Sequence, residues 1–293
     1  MKIAFLTDST ATLDENLLNH PHVYYVSLQL NFSSGETFTE VPDRLKIEEV
    51  YHAIQKADRI PKTSQPQPQA FHEVYQSLIN KGYDLVYFIP LSYALSGTNQ
   101  TGQSVAKEYE DQIKTVTLSN GRVGLPLRFL VKETIKMVEE GLSTEEILPR
   151  FKWLNDHTTM WASIGDINHL VQGGRASRAK GIIASLLKIV PIIEFGKDGS
   201  IDLVAKVRTQ RRALKWLADR FIEEAKKYSH RVSGALVHVD SREGAEEMAR
   251  LIHEQLPDIS LEIDWLTPVV GNHGGIGTLG LAVLPSLENY PQA

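Results

Sequence analysis

"YDLVYFIPLSYALSGT", residues 83–98, decides the fold. Its first part, Asp84 to Pro90, is a short apolar and aromatic run bounded by Gly82 and a serine-rich stretch, which reads as a buried strand. Its second part, Ser92 to Thr98, is small and rich in hydroxyls. Upstream, "PQAFHEVYQSLINKG" has helical spacing and a plausible stop at Gly82. Downstream, "SVAKEYE" continues a helix and "QIKTVTL" is again a strand. Repeated strand–helix–strand units favour a parallel sheet covered by helices. The start of the chain agrees. "KIAFLTD" is a strand, "HVYYVSLQL" (His22 to Leu30) a second, and Ile47, Val50, Tyr51 and Ile54 recur at helical spacing.

Two helices follow the sheet, across "PLRFLVKETIKMVEEG" and "STEEILPRFKWLNDH", the second opened by a Ser143/Glu146 capping box. The pattern then changes. "TMWASIG" is a strand, and "DINHLVQGG" and "SRAKGIIASLLKI" are helical. "VPIIEFGKDGSIDLVAKV" is two strands joined through Asp198-Gly199, a strong hairpin signal. A long helix over "RTQRRALKWLADRFIEEAKKY", a helix over "REGAEEMARLIHEQL" and the strands "SGALVHV", "LEIDWLT" and "LGLAVLP" complete it. The expectation is an α/β protein of two domains. Residues 1–157 form an N-terminal, Rossmann-like parallel-sheet domain, and residues 158–293 a C-terminal α+β domain. No Gly/Ser-rich linker separates them, so tight packing is expected.

The 293 residues suffice for a sizeable core. With 31 basic against 36 acidic residues, the net charge of −5 disfavours a nucleic-acid binder. No cysteine is present, which removes disulfides, thiolate nucleophiles and cysteine metal sites. No apolar run approaches a membrane span and the N-terminus does not read as a signal peptide, so a cytoplasmic protein without stable membrane insertion is expected.

Three hydroxyl clusters sit beside strand ends: "TDST" (Thr7–Thr10), "TSQP" (Thr63–Pro66) and "SYALSGT" (Ser92–Thr98). Helix capping explains any one of them. Three at one sheet edge suggest a pocket, because ligands of open parallel sheets bind at the carboxyl ends of the strands. Helix starts and neutral hydroxyls there suit an anion.

Other chemistry lacks its pattern. "ALSGT" is not a nucleophile elbow, since Ala94 replaces the first glycine. Neither a Walker lysine nor G-x-G-x-x-G after the first strand is found. The ten histidines show no metal spacing. His20 and His22 read as a solvated loop, and His238 as a core histidine or a cap. "QGGRASRAKG" (Gln172–Gly181) carries Arg175, Arg178 and Lys180. It reads either as a helix C-cap followed by a solvated turn or as a contact for an anion or protein partner. "LTPVVGNHGGIGTLG" (Leu266–Gly280) reads as a glycine-rich loop near a pocket mouth, with His273 near its middle.

Taken in order, "FLTDST", "KTSQP", "LSGT", "LVQGGRASRAKG", "SLLKIVPIIEFGKDGSI", "KVRTQRRAL" and "PVVGNHGGIGTLG" resemble the DegV family of fatty-acid-binding proteins over nearly the whole chain. The resemblance implies a tunnel between the domains that holds one long-chain fatty acid as ligand, with no cofactor and no metal. It implies a carrier rather than an enzyme, one that presents the carboxylate to a separate fatty acid kinase subunit on the way to phospholipid synthesis. Carried over by motif, Thr63, Ser96 and His273 would bind the carboxylate. Asp8, Ser9, Ser64, Gly97 and Thr98 would support the site, and Arg175 would lie at its mouth. The alternative is a hydrolase or transferase with His273 as general base and a Ser/Thr nucleophile; a lipid-sensing regulator is a third reading. Two departures from the family stand out. "LSNGRVGLPLRF" lacks the usual aspartate and has Pro126 near an expected glycine, and Ala176 replaces the usual isoleucine.

Overall fold

The computed structural model describes residues 1–175 and 189–291. The first half runs β1 (Ile3–Asp8), α1 (Glu15–Leu18), β2 (Val23–Val26), β3 (Gln29–Asn31), β4 (Thr37–Thr39), α2 (Arg44–Lys56), β5 (Lys62–Ser64), α3 (Pro68–Asn80), β6 (Leu85–Phe88), α4 (Thr98–Lys107), β7 (Lys114–Thr117), α5 (Leu125–Glu139) and α6 (Thr144–His157). The second runs β8 (Thr159–Ser163), α7 (Ile167–Gln172), β9 (Val190–Phe195), β10 (Ile201–Val207), α8 (Gln210–Ala225), β11 (Val232–His238), α9 (Arg242–His253), β12 (Ser260–Trp265), α10 (Pro268–Gly274) and β13 (Leu279–Pro285). The expected helix over Ser177–Ile189 falls largely outside the described residues, as do Ala176, Arg178 and Lys180.

Strands β2-β1-β6-β7 form a wholly parallel sheet, in that order. Alternation along β1 and β6 explains why both its faces are covered. Ala4, Leu6, Val86 and Phe88 point to a core closed by α3 and α4, where Phe71, Tyr75 and Leu78 pack. Phe5, Leu85 and Tyr87 point the other way, to a second core. The six-stranded sheet, ordered β10-β9-β8-β13-β11-β12, is mixed: β11 and β12 are parallel and the other pairings antiparallel. Leu236, Leu279, Leu281 and Val283 face α8 and α9. Their neighbours Ala235, Val237, Ala282 and Leu284 join Phe5 and Tyr87 in the second core. The two halves therefore share one apolar interior and pack tightly, as the missing linker suggests. Arg128 of α5 fastens the join: buried, it donates to the Thr12 carbonyl at 2.6 Å and pairs with Glu262 and Asp264 of β12.

Expected local signals recur. The Ser143/Glu146 capping box is formed, and the Asp198-Gly199 hairpin turns with Gly199 at φ +79°. His238 is fully buried at the end of β11, its ring tilted 52° against that of Trp265 and accepting the Ser241 amide.

Four expectations need correction. "HVYYVSLQL" is two strands, not one. At Leu28 the amide turns to the Ser9 hydroxyl, 3.0 Å away, and the chain leaves the parallel sheet. Beyond that point β3 pairs antiparallel with β4 and β5 in a separate three-stranded sheet. Thr63 and Ser64 thus lie in a strand, where the sequence suggests only a helix lead-in. His20 and His22 are half-buried in an aromatic cluster with Phe5 and Tyr83, His22 Nδ1 lying 2.7 Å from the Tyr83 hydroxyl. "PVVGNHG" is the helix α10 rather than a loop, because Pro268 starts it and the glycine at 275, with φ +76°, ends it.

Candidate functional site

A cavity encloses about 750 Å³ of empty space, its mouth included, between the two halves. From the first half come Thr63 and Ser64 of β5, Gln65, and Leu91, Leu95 and Ser96 beyond β6. From the second half come Ala162 and Ile164 of β8, Ile193 and Phe195 of β9, Arg175, and Val269, Val270 and His273 of α10. An inner compartment of about 410 Å³ adjoins it, sharing Val123, Ala162, Phe195, Leu266, Val270 and Thr278, and is almost wholly apolar. Most polar side chains line the outer cavity; Thr278 is shared with the inner compartment, where its hydroxyl accepts the Gly165 amide.

In the outer cavity, Thr63 Oγ1 and His273 Nε2 are 2.9 Å apart, joining β5 to α10 across 210 residues of sequence. His273 Nδ1 is buried, has no hydrogen-bond partner among the described residues, and faces Gly173. A buried unpaired donor costs more than an unpaired lone pair, so the proton is assigned to Nε2. Nε2–H then donates to Thr63, which leaves the threonine hydroxyl free to donate into the cavity. Burial first, then Arg175 and His169, lowers His273 to about 4. The imidazole is neutral at pH 7. Because the folded value lies below the ordinary 6.5, this contribution to stability is full above pH 6.5 and is lost as pH falls toward 4. The ligand-free chain is expected to lose up to about 3 kcal/mol relative to His273→Gln across that window. Denaturant unfolding of both proteins at pH 7 and pH 4.5 checks this; a constant difference would mean that His273 is not buried neutral.

Ser96 lines the same cavity, its Oγ 2.9 Å from the Thr98 hydroxyl. Thr98 itself is fully buried and reaches the site only through Ser96. Ser64 lines the wall while bonded to Gln29 and Asn31 of β3. Gly97 lies in a shallow groove outside the mouth. A Cβ there would fall 2.1 Å from Gln65 Oε1 and would require the end of that side chain to turn aside. Gln65 is a site residue that sequence reasoning passed over, although it sits inside "KTSQP". Its amide donates to Thr101, tying β5 to α4.

Of the two "QGGRASRAKG" readings, the helix C-cap is formed in the described part of the stretch. Gly174 ends α7 at φ +72°, as a C-cap would. Arg175 turns inward, half-buried, donating to the carbonyls of Leu95 (3.2 Å) and Gly173 (2.6 Å). It lines both the cavity and the outer groove, with its guanidinium value lowered by burial.

Asp8 and Ser9 do not reach the cavity; they brace it. Asp8, fully buried, accepts the Leu91 amide at 2.7 Å and both donors of Thr10, and burial raises it to about 6. Ser9 donates to Glu40, a buried residue that sequence reasoning missed. Capping explains the first hydroxyl cluster, where Asp8 caps the turn at Ser9–Ala11, and part of the third, where the Ser96 hydroxyl accepts the Thr98 amide that opens α4 at 3.3 Å. The N-cap residue of α3 makes no side-chain cap. In the divergent loop, Asn120 bonds the Pro90 and Leu118 carbonyls, and Val123 reaches into both compartments. Among the described residues no acidic or histidine cluster fits a metal, and no helix is long and apolar enough to cross a membrane.

Comparison with known proteins matches this architecture. The DegV family model matches residues 2–286. A DegV domain-containing protein of Halalkalibacterium halodurans is 33% identical over 281 residues, covering 96% of this chain and 98% of the relative. A fatty acid binding DegV family protein from Streptococcus agalactiae superposes with a TM-score of 0.88 at 26% identity, covering 98% of this chain and 99% of that one. DegV from Bacillus subtilis, described as a fatty acid binding protein, superposes at 0.86 and 26% identity, covering 98% and 100%. A family match over almost the full length, on a fold that superposes over nearly the whole of both chains, means that the chain belongs to the DegV family.

Proposed function

We propose that this protein binds one long-chain fatty acid, with the tail in the two compartments and the carboxylate at the hydroxyls of Thr63 and Ser96, His273 serving the head group by holding Thr63. The observation that carries the reading is the polarity of the cavity: hydroxyls and a neutral imidazole at one end, hydrocarbon at the other. Solved relatives described as fatty acid binding support it. A palmitate-length tail buries about 14 methylenes, roughly 11 kcal/mol gross at about 0.8 each. Ordering costs remove part of that. A buried carboxylate must be hydrogen-bonded, and neutral donors do this while leaving it reactive. Tail burial therefore sets affinity and the head group sets orientation.

The protein is a carrier with no chemistry of its own in this reading. It offers the carboxylate to a separate kinase subunit, and Arg175 at the mouth is placed to meet that partner. The hydrolase alternative is weaker: a base held near 4 takes up protons poorly at pH 7, and no acid orients His273 Nδ1.

Thr63→Val is expected to weaken palmitate binding by about 1–3 kcal/mol, since it leaves the head group and His273 short of a partner. Titration calorimetry with palmitate measures it. A dissociation constant equal to that of the unmodified chain would remove Thr63 from the site.

A further inference from the structure

Helix α10 carries His273, yet its own N-cap residue, Thr267, makes no side-chain cap. The cap comes from 229 residues away. Glu40 Oε1 accepts the Val269 amide at 2.8 Å, at the position an N-cap side chain normally serves. Its other oxygen accepts the Ser9 hydroxyl at 2.5 Å, and Ser9 in turn accepts the Leu28 amide. The Glu40 amide closes the ring by donating to the Leu28 carbonyl at 2.9 Å. One carboxylate thus joins the end of β1, the exit from the parallel sheet and the start of α10. Two neighbouring contacts run alongside: Asn272 to the Pro61 carbonyl at 2.8 Å, and the Tyr51 hydroxyl to the Leu266 carbonyl at 2.5 Å.

Glu40 is 1% exposed, and among the described residues no salt bridge reaches it. Asp8, Tyr51 and the Thr267 hydroxyl are the ionisable and polar side chains around it, and burial raises its carboxyl to about 7. A buried carboxyl without a cation is costly, and chains tolerate such costs chiefly at functional sites.

We infer that Glu40 is the positioning residue of the site: by capping α10 from Ser9 it holds His273 against Thr63. The inference rests on His273 serving the head group. It adds a residue that never touches the ligand.

Glu40→Gln tests it. The amide's NH₂ must turn to the Ser9 oxygen, which then accepts twice and gives up its own bond as donor, while the Val269 N–H meets a neutral carbonyl in place of a carboxylate, so both links weaken. Two readouts are needed. In the ligand-free protein, the imidazole nitrogen resonances of His273 are expected to shift, with the remaining amide spectrum largely unchanged. In titrations, palmitate affinity is expected to fall about tenfold. Ser9→Ala removes half of the bridge and is expected to do both to a lesser degree; it decides the matter if Glu40→Gln does not fold. Unmoved His273 resonances in the folded variants, or palmitate affinity within twofold of the unmodified chain, would overturn the positioning role. Failure of the unmodified chain to bind palmitate would instead overturn the fatty-acid reading, and the resonances of the ligand-free protein would still report on α10.

Discussion

Replacing Ala162 by phenylalanine is expected to weaken palmitate binding by about 100-fold while leaving octanoate nearly unaffected. Ala162 lies mid-way along β8 and lines both compartments. A tail anchored at Thr63 and Ser96 must pass it to reach the walls formed by Met160 and Trp161. A phenyl ring at this point fills the passage. Withholding about four methylenes from burial, at about 0.8 kcal/mol each, costs about 3 kcal/mol. That is on the order of 100-fold in affinity. A short acid needs only the outer compartment. Overpacking also costs about 1–3 kcal/mol of stability, so the variant's unfolding must be followed in parallel. Equal losses for octanoate and palmitate would point to a general packing defect; an unchanged palmitate affinity would rule out this path for the tail.

Gly173→Ala is expected to produce a comparable loss by a different route. A Cβ at position 173 would fall 2.1 Å from His273 Nδ1 and 2.9 Å from its Cε1. The ring cannot give way while Nε2 stays with Thr63. Either the imidazole swings out or α7 separates from α10. Losing the buried hydrogen bond costs about 1–3 kcal/mol, and overpacking a similar amount. The diagnostic measurement is a double-mutant cycle. In a His273→Ala background the ring contacts are gone and only the His169 carbonyl, 2.9 Å from that Cβ, remains, so the same glycine substitution should cost much less in palmitate affinity. An equal cost in both backgrounds would show that Gly173 matters for the end of α7 and not for the histidine.

Together these variants separate the three demands that the proposed reading makes on the cavity: hydrocarbon depth at Ala162, head-group geometry at Gly173, and head-group donation at Thr63. The Glu40 substitution adds a fourth, the placement of the helix that brings the histidine in. Each fails in its own way, so a single loss of binding need not be ambiguous.

Much of the fold is legible along the chain. The continuous apolar run at residues 85–88 specifies a strand covered on both faces, and Asp198-Gly199 specifies a hairpin, because both signals act between near neighbours. Ser143 and Glu146 cap their helix for the same reason. What misled was context. "HVYYVSLQL" has strand propensity throughout, but Leu28 finds a better acceptor in Ser9 than in the sheet, and propensity cannot see that competitor. "GNHGGIG" has loop composition, yet Pro268 and packing against α2 and α7 hold its first part helical.

The candidate site divides the same way. The hydroxyl clusters at 7–10, 63–66 and 92–98 stand out in the sequence because strand ends are punctuated locally. His273 stands out because it is alone among glycines. Glu40 carries no such mark: "ETFTEVPD" reads as an ordinary polar turn. Its burial, its bonds to Ser9 and Val269, and the 2.9 Å approach of Thr63 to His273 exist only once residues some 30 to 230 positions apart are packed together. The sequence alone determined which segments form strands, helices and hydroxyl-bearing ends, since these follow from short-range periodicity and capping. Which of those ends face one cavity, and which buried carboxyl holds them there, was decided by the tertiary structure, because long-range burial and hydrogen bonding have no local signature.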